Sequence, residues 1–134
     1  MATQTRQEVF DKVVDHLWSM SERAFDEELY SCLYLTPSGN RCAVGCLLEI
    51  PDEDKETAYT YEGTIDDLMS DHPEWIPDSL GLEEDVSMAR LLYDLQNVHD
   101  RETNWIGDRK EMDQWLKYIA TNRNLKYDTH FPEA

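Results

Sequence analysis

The middle of the chain is strongly acidic, and this constrains the fold more than any other feature. Residues 51–87, named here the acidic segment, contain thirteen Asp and Glu residues and one basic residue, Lys55. Their net charge of −12 is most of the −17 carried by the whole chain. Because unpaired charges are rarely buried, this segment must lie at the surface, and its apolar residues must attach it to the core. Those residues are Leu68, Met69, Trp75, Ile76, Leu80 and Leu82.

The remaining sequence predicts a single domain over residues 1–134, mainly helical and of the α+β class. The chain is 40% hydrophobic and contains four Trp, which is sufficient for one core. Apolar residues at three- and four-residue steps predict a first helix, beginning at a capping box formed by Thr5 and Glu8. Further helices are predicted over residues 64–70 with Thr64 as N-cap, over 84–99, and from about Asp108 to about Asn124. Residues 51–63 are expected to be mainly loop.

A short β-hairpin is predicted near residues 31–43. Residues 31–35 (SCLYL) are followed by Thr-Pro-Ser-Gly-Asn, in which Gly39 suits a positive φ. The second arm, from Arg41, is open to two interpretations, namely a strand partner or a short buried helix that ends before Pro51. We favour a brief strand ending near Cys42, followed by a helical turn.

The cysteine count and the hydropathy pattern bear on location. Three cysteines are an odd number, and no apolar segment follows a basic start at the N-terminus, which favours reduced thiols over a disulfide framework. No stretch approaches 18 uninterrupted apolar residues. The sequence therefore predicts a soluble, cytoplasmic protein with no membrane contact.

A zinc site is the main cofactor hypothesis to weigh. Cys42 and Cys46 are four residues apart, Cys32 could lie across the hairpin, and His72 or His99 could supply a fourth ligand. The spacing matches no common zinc finger or ribbon, and cysteine is among the most buried residue types. We therefore predict that the thiols are structural and that the protein has no cofactor. If a metal were bound, Cys32, Cys42 and Cys46 would be its candidate ligands.

Catalytic interpretations are weaker still. A cysteine nucleophile would need one of His16, His72, His99 or His130, and no local pattern selects one. The pair His99-Asp100 lacks the further ligands that a metal phosphohydrolase requires, and we read it as a helix end. No catalytic residue is predicted, and we expect the protein not to be an enzyme. Calcium binding is disfavoured because Gly63 occupies the position where an EF-hand needs a bidentate Glu.

Several segments resemble a family of small, mostly uncharacterised proteins encoded by bacteriophages and prophages. The matching pieces are VFDKVVDHL, CLYLTPSGNRCAVGCLL with a following PDE, YEGTIDDLM and LLYDLQNVHD, and they run from about Val9 to Leu125. CAVGCLL and LQNVHD are the most specific of them. The resemblance implies a phage origin, with the cytoplasm of the infected host as location, and a compact helix-rich fold; it brings no active site. This chain departs from the family by an extra Glu49-Ile50 and by a more acidic middle.

The charge distribution favours a basic protein partner. A protein with net charge −17 would be repelled by phosphates, so direct nucleic-acid binding is disfavoured. Its carboxylates could instead imitate duplex DNA and inhibit a host nucleic-acid-binding or defence protein, as an anti-CRISPR-like decoy would. The predicted contact residues are nine carboxylates and two aromatic anchors: Asp52, Glu53, Asp54, Glu56, Glu62, Asp66, Asp67, Asp71 and Glu74, with Tyr61 and Trp75.

Three alternatives remain open at this stage. The acidic residues could simply keep a small protein soluble. The protein could be a viral assembly or scaffolding factor that self-associates, and Leu91, Tyr93 and Trp105 could cover either the core or a homodimer interface. It could also be a small metal- or thiol-dependent enzyme, which would bind zinc or contain a cysteine of low pKa.

Overall fold

The computed structural model describes residues 4–27, 29, 31–82 and 85–129. Within them, five α-helices and one pair of short antiparallel strands alternate with 3-10 turns, so the predicted mainly helical α+β class is confirmed. In chain order, the elements are α1 (Arg6–Ser19), β1 (Phe25–Asp26), β2 (Ser31–Cys32), α2 (Lys55–Ala58), α3 (Ile65–Asp71), α4 (Val86–Asp100) and α5 (Lys110–Asn122).

Reciprocal hydrogen bonds fix the starts of α1 and α3. Thr5 accepts from the Glu8 amide and Glu8 accepts from the Thr5 amide, at 3.0 and 2.9 Å. Thr64 and Asp67 form the same arrangement at α3, at 3.2 and 3.0 Å. Both predicted N-caps are therefore confirmed. A Thr followed three residues later by a carboxylate forms such a cap because it satisfies two amides that a helix start leaves without partners.

The two long C-terminal helices begin slightly later than predicted. The side chain of Asp85 accepts from the amides of Ser87 and Met88, which sets the start of α4; residue 84 lies outside the described residues. At α5 the N-cap is Arg109, with φ +64°, while the predicted cap Asp108 accepts from the Lys110 amide at 3.1 Å. Val86, the first residue of α4, is 64% exposed, whereas Met88 is buried in the core.

The strand pair lies upstream of the predicted position. β2 pairs with β1, with Phe25 opposite Cys32, and not with residues 41–43. The predicted turn does form: Gly39 has φ +93°, and Leu35 and Arg41 make an isolated antiparallel bridge. After Cys42 the chain coils into a 3-10 turn, Gly45–Leu47, which prevents further pairing and agrees with the favoured interpretation of this arm.

The expected loop over residues 51–63 is partly helical. Asp52–Asp54 form a 3-10 turn that continues directly into α2. Acidic residues at the start of a helix are stabilised by its dipole, Lys, Glu and Ala are good helix formers, and Lys55 pairs with Asp52 at 2.8 Å. The count of acidic residues suggested a loop, although these local effects favour helix.

All of the buried apolar side chains of the described residues except Leu33 form one cluster. α1, α4 and α5 supply about half of it, and α3 packs on α4. The predicted Leu68, Trp75, Leu80 and Leu82 are buried in this cluster, and the predicted Met69 and Ile76 pack against it. Ala58 and Ile65, which were not predicted, are buried there as well. Leu91 is fully buried, Trp105 is half-buried against the core, and Tyr93 is 53% exposed. Of these three, Tyr93 is therefore the one that presents most of its side chain to solvent.

Candidate protein-binding surface

The acidic segment presents its carboxylates to solvent from a folded base. Its apolar residues point into the core, so the intervening acidic residues point outward. Glu83 and Glu84 lie outside the described residues. Of the nine carboxylates predicted to bind a partner, Asp54 is half-buried and the others are exposed: Asp52, Glu53, Glu56, Glu62, Asp66, Asp67, Asp71 and Glu74.

Hydrogen bonds hold several of these carboxylates in place. Asp71 accepts from the Tyr61 hydroxyl at 2.9 Å, and Asp67 is fixed by the α3 cap. Asp52 pairs with Lys55, and this hydrogen bond and the lysine charge lower the pKa of Asp52. Lys55 is the one base of the segment, and its positive charge is paired with Asp52. No other base of the segment offsets the remaining carboxylates.

An aromatic cluster of Tyr61, His72 and Trp75 lies beneath the carboxylates. The His72 and Trp75 rings stack 3.9 Å apart, and Tyr61 meets both edge-on at 5.1 and 6.0 Å. Burial, followed by the hydrogen bond to Asp71, raises the pKa of Tyr61 well above its ordinary value, so its hydroxyl remains a donor. The cluster therefore stiffens the surface.

The interpretation of Trp75 as a contact anchor is wrong. Its side chain is 0% exposed, and its indole Nε1–H donates to Asp54 at 3.0 Å. Tryptophan combines a large apolar ring with one polar atom, so it fills the core here while orienting a carboxylate. Tyr61 is half-buried and remains a candidate for partner contact.

The three cysteines do not come together as a metal site. Cys42 accepts from the Gly45 amide at 3.2 Å, and the Cys46 thiol donates to the Ala43 carbonyl at 3.1 Å. Burial raises the pKa of Cys32 to about 12 and that of Cys46 to about 11, and it raises the pKa of Cys42 further. The thiolate is the form of cysteine that acts as nucleophile and metal ligand, so these raised pKa values disfavour both roles at neutral pH.

One other group of potential metal ligands lies within the described residues. The ligand atoms of Cys32, His99 and Asp100 lie within 4.8 Å of one another. His99 Nε2, however, accepts from the Ala24 amide at 2.8 Å, so the proton must lie on Nδ1, 2.8 Å from Asp100 Oδ1. Metal at Nδ1 would move that proton to Nε2, against the amide donor. The group of Cys32, His99 and Asp100 therefore fits neither a metal site nor a general base at His99. The fourth candidate histidine, His130, lies outside the described residues.

The two most specific motifs, CAVGCLL and LQNVHD, contact each other. Gln96 accepts from the Val44 amide and donates to Asp100, both at 3.0 Å. We name Ala24, Val44, Gln96, His99 and Asp100, joined by these bonds, the His99 network. Gly45 belongs to the same packing, because a Cβ there would lie 2.0 Å from the Tyr34 carbonyl oxygen. Both motifs thus have a structural explanation.

Sequence reasoning missed the side chains that surround Asp100. Tyr93, Gln96, Asn97 and Asp100 recur at positions i, i+3, i+4 and i+7 of α4, so they share one face. That polar face adjoins the core-facing stripe of the same helix, and its spacing was the available signal.

No helix of the described residues has the length and apolar character needed to cross a bilayer.

Comparison with protein-family models, with curated proteins and with solved structures gave no match. The resemblance to phage proteins consequently stays a prediction.

Proposed function

We propose that this protein binds a basic protein surface through its acidic segment and thereby competes with nucleic acid for that surface. The observation that carries the proposal is the array of exposed carboxylates on short helices and turns, with α3 capped by Thr64 and the segment's one lysine already paired. A fixed array of this kind resembles the charged surface of a duplex more closely than a solvated acidic tail does.

Charge density supports binding by many weak contacts acting together. Duplex DNA presents about one charge per 1.7 Å, and a protein that binds it carries Lys and Arg side chains at matching density. Exposed ion pairs contribute only about 0.2–1 kcal/mol each, so affinity requires several of them together. Fields from grouped carboxylates also accelerate association and fall steeply with ionic strength.

The four carboxylates most available to a partner are Glu53, Glu56, Glu62 and Asp66. All four are exposed, and the described residues provide them with no ion pair or hydrogen bond. A partner would not need to break an existing bond to engage them. With Trp75 buried, the face offers little aromatic contact area, and we expect binding to depend more on charge than on apolar burial.

The class of partner follows from this chemistry. Nucleases and other nucleic-acid enzymes carry basic grooves, and occupying such a groove would inhibit them. If the resemblance to phage proteins holds, the protein acts in the cytoplasm of an infected host, against a host nucleic-acid-binding or defence protein. The acidic segment would then act as an inhibitor in the manner of a DNA mimic.

A second candidate function is self-association or scaffolding, favoured by an aromatic patch on α5. Trp115 and Tyr118 are 37% and 60% exposed and meet edge-on at 5.9 Å. The Arg101 guanidinium lies 4.7 Å from the Trp115 ring. An exposed Trp next to an exposed Tyr is typical of interaction surfaces, and a homodimer through this patch would leave the acidic segment uninvolved.

The decisive experiment compares two variants of equal charge. Glu53→Gln/Glu56→Gln/Glu62→Gln/Asp66→Asn neutralises the available carboxylates, and Asp15→Asn/Glu22→Gln/Glu27→Gln/Glu111→Gln neutralises four exposed carboxylates outside the segment. Binding to a panel of basic nucleic-acid-binding proteins is measured at low and high salt, with duplex DNA as competitor. We expect the first variant to lose affinity by about 100-fold, with a flatter salt dependence, and the second by less than about threefold. Equal losses would contradict the proposal.

A further inference from the structure

We propose that the cavity beside the acidic segment, between β2, the start of α3 and α4, receives a guanidinium group carried on an arginine side chain of the partner. This inference rests on the proposed function and gives the acidic surface a specific subsite. The cavity has a volume of about 180 Å³, and its walls include Cys32, Glu62, Tyr93, Asn97 and Asp100. Pockets for drug-sized ligands usually exceed about 300 Å³, so this one suits a side chain better than a cofactor.

Asp100 provides a fixed negative charge in the wall of the cavity. Its Oδ1 accepts from His99 Nδ1–H at 2.8 Å and from Gln96 Nε2–H at 3.0 Å, which fixes the orientation of the carboxylate. The Cys32 thiol also donates to Asp100. A carboxylate offers about four acceptor positions, so these three bonds leave about one for an incoming donor. The Asp100 side chain is 41% exposed, and an incoming group can therefore reach it.

Within the described residues, no lysine or arginine forms an ion pair with the Asp100 carboxylate. His99 is held as a neutral donor, because its Nε2 accepts from the Ala24 amide and burial lowers its pKa. The Arg23 guanidinium donates to the backbone carbonyl of Asp100 at 2.8 Å and to the Cys32 sulfur at 3.7 Å, and it pairs with the Glu102 carboxylate at 3.7 Å. Cys32, whose pKa burial raises to about 12, stays an uncharged thiol.

The opening of the cavity has the remaining features of an arginine subsite. The Tyr93 ring is 53% exposed and can lie against the flat face of a guanidinium. Glu62 and Asn97 are exposed and add a second carboxylate and an amide oxygen. Arginine presents five donors in a planar fork, which suits several acceptors around one opening better than the single ammonium of lysine does.

An anion is a poorer occupant of the same space. Thr64 and Asp67 already satisfy amides at the start of α3 through their reciprocal bonds. Two carboxylates at the cavity would repel a phosphate or sulfate. Continuity with the acidic segment through Glu62 also means that a basic partner lying on that segment could extend a side chain into the cavity.

The test is an NMR titration of the isotope-labelled protein with N-acetyl-arginine methylamide, beside the blocked lysine and blocked citrulline analogues. We expect saturable shifts of the Gly63, Tyr93 and Asn97 amides in the millimolar range for arginine, and binding at least about fivefold weaker for lysine and citrulline. Asp100→Asn should weaken arginine binding about tenfold, whereas Glu111→Gln, an exposed one-charge control outside the acidic segment, should change it less than twofold. Shifts spread over the acidic segment, equal binding of lysine, or no effect of Asp100→Asn would overturn the inference.

Two additions keep the test decisive. Tyr93→Ala removes an exposed ring and should weaken arginine binding about threefold, which covers the case in which Asp100→Asn disturbs the fold. The basic-protein panel is then repeated with both variants. If basic proteins still bind and neither variant matters, the inference fails and the proposed function stands. If the blocked arginine occupies the cavity but no basic protein binds, the proposed function fails and the guanidinium site stands.

Discussion

Two histidine–carboxylate pairs show how differently this chain uses the same side chains. In the acidic segment, His72 Nδ1 lies 3.2 Å from Glu74 Oε1, and Glu74 is exposed. In the His99 network, His99 is 0% exposed and both of its ring nitrogens are hydrogen-bonded. Burial, more than residue type, decides which pair determines the fold. The acidic segment is thus the region to alter for binding, and the His99 network the region to alter for stability.

Gly45→Ala should produce the largest effect on stability. The added Cβ would lie 2.0 Å from the Tyr34 carbonyl oxygen, which is backbone and cannot rotate away. We expect a loss of more than about 3 kcal/mol in the free energy of unfolding, measured by denaturant titration. Gly107→Ala is the matched control: it has φ +62° and no atom within 4 Å of the added Cβ, so about 1 kcal/mol is expected. Similar losses for both would contradict the steric explanation, because Gly45, unlike Gly107, does not have a positive φ.

His99→Ala should be the next largest. It removes the acceptor of the buried Ala24 amide and a donor to Asp100, and it leaves space in the core. We expect a loss of about 2–4 kcal/mol in the free energy of unfolding. His72→Ala, which removes a ring stacked on Trp75 near the surface, should cost about 1 kcal/mol. A His99 variant as stable as the His72 variant would contradict the division between the two regions.

The pH dependence of stability also tests the difference between the buried His99 and the more exposed His72, without leaving a cavity in the core. Burial lowers the pKa of His99 below its ordinary 6.5, so the unfolded chain binds this proton more readily than the folded chain. The stability that neutral His99 contributes is therefore full above about pH 6.5, and it declines as the pH falls towards the folded-state pKa. We expect the free energy of unfolding to fall by about 1 kcal/mol between pH 6.5 and 5, and the fall to be smaller in His99→Gln than in His72→Gln. Equal pH profiles in the two variants would contradict the assignment of this pH dependence to His99.

Helices α1, α3, α4 and α5, and the caps of α1 and α3, could be predicted because their causes are local. Thr5 with Glu8 and Thr64 with its first-turn acids each occupy a few consecutive residues, and the structure has both caps. The strand pair was misplaced because the partner of Ser31–Cys32 is decided by tertiary packing, with the Leu33 amide bonded to the Ala24 carbonyl at 2.9 Å. Local turn signals at residues 36–40 could not indicate a partner on the other side.

The candidate site divides in the same way. Exposure of the carboxylates followed from charge alone, whereas the burial of Trp75 did not, because its contacts with Asp54 and His72 depend on how α2 and α3 fold. Asp100 was read as a helix end, although it holds Gln96, which joins the two specific motifs, and it borders a cavity. Contacts between residues far apart in sequence leave no periodic signal in one chain, so these roles became visible only in the fold.

Salt should produce the smallest effect, and it separates the acidic segment from the remaining charge. Excess negative charge destabilises the compact state by self-repulsion, and salt screens that repulsion over a Debye length of about 8 Å at physiological ionic strength. Raising NaCl from about 20 to 500 mM should increase the melting temperature by about 2–4 °C. The variant with four carboxylates of the segment neutralised should lose about half of this increase, because repulsion is strongest where like charges are closest. The variant with four carboxylates neutralised elsewhere has the same net charge and should retain most of it. Identical salt responses in the two variants would mean that total charge, and not its concentration in the acidic segment, determines the repulsion.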